Sequence, residues 1–96
     1  MQYSQPLVAL TATYTISFTS GSSAPGALDP LVKEMIYVAV SATNGCEYCT
    51  YSHTAAARKR GMSDAMFMEL MAVVGLANET NRLANGLRPS VDPQFR

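Results

Sequence analysis

The stretch Asn44–His53, NGCEYCTYSH, holds both cysteines and the single histidine of the chain. Its Asn-Gly pair tolerates the left-handed backbone that closes one helix, so a second helix can open directly after it. A helix starting at Cys46 places Cys46, Cys49 and His53 at i, i+3 and i+7. At about 100° per residue the three side chains fall within roughly 60° of one another on one face. The fold is thus read as two helices meeting at Gly45, with a thiol pair and an imidazole on the second. A CxxC pair alone is a weak signal. With an in-phase His at a helix start and no other Cys or His in the chain, it becomes a candidate site.

Upstream, Asp29-Pro30 is a strong helix start, with Asp as N-cap and Pro at the first helical position. The run from Leu31 to Thr43 is apolar nearly all round, broken by Lys33 and Glu34, so it is predicted to be buried on all sides. Glu34 is out of place on such a helix, which makes it a candidate partner of the site. Gly21–Ala27 (GSSAPGA) reads as a linker. Between Pro6 and Ser20 two patterns compete. Thr11–Thr19 alternates as a half-buried strand would, while Leu7, Leu10, Tyr14 and Phe18 make a helical stripe. No second strand signal follows downstream, and helix is the expectation. Met1–Gln5 is expected to be loose.

Downstream, the second helix is predicted from Cys46 to Arg60, with Arg58, Lys59 and Arg60 matching the dipole of its last turn and Gly61 ending it. Ser63 is the next N-cap. Met66, Phe67, Leu70, Met71, Val74, Leu76 and Ala77 then give a broad helical stripe reaching Ala84 or Asn85, where Gly86 and Pro89 stop it. Ser90–Arg96 reads as an extended tail. Met62, Met66, Met68 and Met71 are read as adaptable packing, and so are Tyr37, Tyr48 and Tyr51.

The chain has 96 residues, 48% of them hydrophobic and 15% charged, with zero formal net charge. That fits one small globular domain over residues 1–96, its core roughly 27–88. Neutrality removes the electrostatic reason to expect nucleic acid or an anionic membrane as partner. So much apolar surface on so short a chain predicts burial between subunits. No apolar run approaches the roughly 18 residues of a membrane span. No basic residue precedes Leu7–Leu10, so no secretory signal is expected. Two cysteines make no disulfide framework, and a cytoplasmic redox or metal role suits them better.

The reactive form of cysteine is the thiolate, which a helix N-terminus stabilises. His53, one turn beyond Cys49, is positioned to take its proton, and Glu34 to orient and charge-balance the imidazole. These are nucleophile, base and orienting group. Reaction with a peroxide would give a sulfenic acid on one cysteine, which the other converts to a disulfide for a reductant to reopen. Cys46, Cys49, His53 and Glu34 are also competent zinc ligands. However, the seven residues from Cys46 to His53 rise about 10 Å, a long reach for one tetrahedral ion. CEYCT also lacks the His that c-type haem attachment needs directly after the second Cys.

With Glu34, NGCEYC and His53 in place, the chain resembles the alkyl hydroperoxidase D / carboxymuconolactone decarboxylase family. The resemblance runs through GALDPLVKEMIYVAVSATNGCEYCTYSHTAAARKRGMS and continues less distinctly into the NETNRLANGL ending. Its specific part is a Glu twelve residues before the CxxC and a His four after it. Decarboxylases proper lack the CxxC, so the chain looks like the peroxidase branch. The resemblance implies an all-α fold whose helices interlock with those of neighbouring subunits, as homo-trimers or as homo-hexamers built from dimers. It implies no cofactor, a hydroperoxide substrate and an external dithiol reductant, a protein or a lipoyl group. The family's redox pair maps onto Cys46 and Cys49, with peroxide attack at Cys49 and Cys46 as resolver, and its proton relay onto Glu34 and His53. Tyr48 stands where family members with the best-supported activity carry a His. Two other readings stay open: a dithiol–disulfide oxidoreductase with a protein or lipoamide partner, and a non-catalytic binding protein on the same scaffold.

Overall fold

The computed structural model describes residues 26–96, and the helix expected over Pro6–Ser20 lies outside them. Among the described residues there are three α-helices, a single 3₁₀ turn and no strand: α1 Pro30–Asn44, α2 Glu47–Lys59, α3 Asp64–Leu87 and the turn Pro93–Phe95. The all-α reading is correct for this part of the chain. No helix among the described residues is long and apolar enough to cross a membrane.

The helix boundaries follow from local chemistry. The Asp29 carboxylate accepts the Leu31 N–H at 2.8 Å, and Pro30 occupies the first turn, where a missing N–H costs nothing. Gly45 ends α1 at φ 74°, and the Cys46 N–H then donates to the Ser41 carbonyl at 3.0 Å. That six-to-one bond satisfies an orphan carbonyl of the last turn. The same device ends α2. Gly61 sits at φ 107° and the Met62 N–H donates to the Ala57 carbonyl at 3.0 Å. The two residues so joined are both buried, the hydrophobic contact that accompanies this closure. Ser63 caps α3 by accepting the Met66 N–H at 3.1 Å.

Helix α1 packs more extensively against α2 than against α3. Its buried stripe is Glu34, Val38 and Ser41 at i, i+4 and i+7, and Val38, Ala57 and Met62 make up the buried apolar core. Asn78 ties α3 back to α1, donating to Thr43 Oγ1 at 3.0 Å and to the Val74 carbonyl at 2.8 Å. Val38 is fully buried. Val38→Ala should cost about 2 kcal/mol through lost burial plus a residual cavity, read as a lower urea midpoint at constant m-value.

Four expectations need correction. Helix α1 is not buried on all sides within this chain, for Val32, Ile36, Tyr37 and Val40 are exposed. Two neighbouring helices cannot cover a cylinder all round, so an all-apolar helix here keeps an uncovered flank. Helix α3 runs past Gly86 to Leu87 and ends at Arg88 with φ 51°. One helical glycine costs only about 1 kcal/mol, too little to end 24 residues of helix. The tail is not wholly extended, because Pro93 opens its 3₁₀ turn. Helix α2 itself begins at Glu47 rather than Cys46, and Cys46 is its N-cap.

Candidate functional site

Glu34 reaches the site from the second turn of α1, and its residue is only 3% exposed. Its Oε2 lies 2.6 Å from His53 Nδ1, across the α1–α2 interface and nineteen residues away in sequence. With the carboxylate accepting from Nδ1–H, the imidazole keeps Nε2 as its remaining proton acceptor. The pair is nearly dry on the carboxylate side and wetter at the ring, whose side chain is 24% exposed.

Cys46 and Cys49 are joined by a disulfide, with Cα atoms 5.3 Å apart. Cys46 has the extended backbone of an N-cap, and its Sγ accepts the Cys49 N–H at 3.3 Å. Its carbonyl accepts the Thr50 N–H and the Thr50 hydroxyl, both at 2.9 Å. The sulfur pair therefore sits on the positive end of α2, where an N–H can stabilise negative charge on sulfur after the bond opens. Cys49 and His53 follow one another on α2 at i and i+4, one turn apart on one face.

The disulfide borders a cleft of about 450 Å³, lined among others by Leu28, Ile36, Tyr37 and Val40 of the chain's apolar flank, together with both cysteines. A smaller cleft of about 320 Å³ touches Cys46 from another side, along Gly45, Glu47 and Tyr51. The sulfurs are thus reachable rather than sealed in a core. Among the described residues, no three His, Cys, Asp or Glu side chains are gathered closely enough to hold a metal ion.

All four residues singled out from the sequence belong to this one α1–α2 junction, in two linked pairs: Glu34 with His53, and Cys46 with Cys49. The tyrosines depart from expectation. Tyr48 and Tyr51 are 83% and 73% exposed, not packed within the chain. No described helix covers either ring, although Tyr51 borders the smaller cleft beside Cys46. Tyr37 does pack, but against the site: its ring stacks on His53 with centroids 3.6 Å apart and planes 19° from parallel. Sequence reasoning did not assign it there. The available signal was its place three residues after Glu34, on the same face of α1.

The model of the carboxymuconolactone decarboxylase family matches residues 9–91 of the chain. Among solved structures, the chain is similar to the crystal structure of the alkylhydroperoxidase AhpD core from Rhodospirillum rubrum ATCC 11170, with 45% sequence identity and a TM-score of 0.72. That similarity covers 91% of this chain and 59% of the other, so the chain spans less than two thirds of that protein. No curated protein matches it.

Proposed function

The chain belongs to the carboxymuconolactone decarboxylase family, on its alkylhydroperoxidase D-like side, and on that footing we propose that it is a thiol-dependent peroxidase. The observation that carries this reading is the hydrogen bond between buried Glu34 and half-buried His53, one helical turn from a disulfide-forming cysteine pair. In the reduced protein, His53 Nε2 receives the Cys49 proton. The Cys49 thiolate attacks the terminal oxygen of a hydroperoxide, forming an S–O bond as the O–O bond breaks. The alkoxide leaves as alcohol with the proton that His53 returns. Cys46 then attacks the sulfenic sulfur, an S–S bond forms, and hydroxide departs as water on taking the Cys46 proton. The sum is dithiol plus hydroperoxide to disulfide, alcohol and water. An external dithiol, on a protein or a lipoyl group, restores the thiols. The reducing cytoplasm is the setting this cycle needs.

Cys49 is assigned the attack because it precedes His53 by one turn. Cys46, capping the helix and bordering both clefts, is assigned resolution and exchange with the reductant. The test compares hydroperoxide reduction with reduction of insulin and lipoamide disulfides under the same dithiol supply. Faster peroxide turnover supports the peroxidase. Disulfide exchange without peroxide turnover would favour the dithiol–disulfide oxidoreductase.

The functional unit proposed is a homo-oligomer, a trimer or hexamer. Val73, Leu76, Leu83 and Leu87 are exposed on α3. With Thr80 they repeat at alternating intervals of three and four residues, the spacing of a helix–helix seam. No α3 residue is buried in the single chain. Sedimentation should give a multiple of the 10.3 kDa chain mass, and Leu83→Lys should lower it. A wild-type protein that sediments as one chain would contradict the assembly.

A further inference from the structure

We propose that Tyr37 is a positioning residue for the proton relay, holding the plane of the His53 ring. The Glu34–His53 hydrogen bond at 2.6 Å fixes one distance, but a histidine side chain has two torsions to place. One constraint on two torsions leaves the ring free to swing about an arc on which Nε2 changes direction. The Tyr37 ring removes that freedom. It lies 3.6 Å from the imidazole centroid, tilted by only 19°, so rotation of His53 out of plane drives one ring into the other. Glu34 and Tyr37 stand three residues apart on α1, so one rigid helix holds both the edge and the face of the imidazole.

Tyr37 also has the right surroundings for this task. It is 43% exposed and lines the same cleft as Cys46 and Cys49. An aromatic ring spent on core packing would be buried instead. The contact that matters is the flat face, so phenylalanine should serve as well as tyrosine and a branched aliphatic should not.

The kinetic part of this proposal rests on the peroxidase reading; the ring placement does not. His53 is the single histidine of the chain, so its imidazole gives one assignable set of resonances in a nitrogen–proton correlation spectrum. Wild type and Tyr37→Phe are expected to show one sharp set. Tyr37→Leu and Tyr37→Ala, confirmed as folded by circular dichroism, are expected to show a broadened or doubled set. In single turnovers with a hydroperoxide, Tyr37→Phe should stay within about twofold of wild type, while Tyr37→Leu falls about tenfold in rate with KM nearly unchanged. An unchanged imidazole spectrum in the folded leucine and alanine variants would overturn the proposal. So would a loss in Tyr37→Phe as large as in Tyr37→Leu, since the hydroxyl rather than the face would then matter. If wild type consumes no hydroperoxide, the peroxidase reading fails, and the spectra still decide the role of Tyr37.

Discussion

Cys49→Ser is expected to reduce hydroperoxide consumption to the uncatalysed rate, whereas Cys46→Ser should consume one equivalent per chain and then stop. A serine hydroxyl at position 49 has no accessible anion near neutral pH and no affinity for the O–O bond, so the chemical step is lost rather than slowed. At position 46 the first step survives, because the nucleophile and its base on α2 are untouched. What disappears is the sulfur that condenses with the sulfenic acid, and the modified Cys49 accumulates until an external thiol reaches it. Peroxide loss under limiting enzyme, followed by trapping of the sulfenic acid, distinguishes the two. Reversed phenotypes would exchange the roles assigned to the cysteines. Wild-type rates in both variants would remove thiol chemistry from the account.

Glu34→Gln is expected to lower the single-turnover rate about 10²-fold, within the range that acid–base groups supply. The substitution keeps shape and volume in a site that is almost wholly buried. It replaces an obligatory acceptor by an amide that can turn either its oxygen or its NH₂ towards Nδ1. When the NH₂ faces the ring, the imidazole proton moves to Nε2 and the base is lost. His53→Gln should fall at least as far, since it removes the proton carrier itself. The proposed relay makes the two residues one unit, so the double variant should be no slower than His53→Gln alone. Independent, multiplying losses would mean that the 2.6 Å pair is a structural contact only.

Much of this arrangement is legible in the sequence because its determinants are local. Asp29-Pro30, Asn44-Gly45 and Ser63 each set a helix end through neighbours a few residues away, and the caps appear where those residues stand. Glu34 and His53 are nineteen residues apart, yet a short Asn-Gly turn forces α2 back along α1. A polar group on each facing stripe then has few alternatives but to meet the other. Burial is less legible, because it depends on what lies opposite a face and not on the face itself. Val32, Ile36 and Val40 look like core by composition but stand exposed on a flank of α1 that no described helix covers. Tyr48 and Tyr51 are exposed for the same reason. The stack of Tyr37 on His53 needs the angle between α1 and α2, which no residue pattern encodes.

The most direct measurement mixes the fully reduced protein with one equivalent of an organic hydroperoxide in the absence of any other thiol. Alcohol release and intact mass are followed together. The account requires one alcohol per chain, loss of two hydrogens from the protein, and a peptide map joining Cys46 to Cys49 within one chain. Retention of both thiols with the hydroperoxide unconsumed would contradict it.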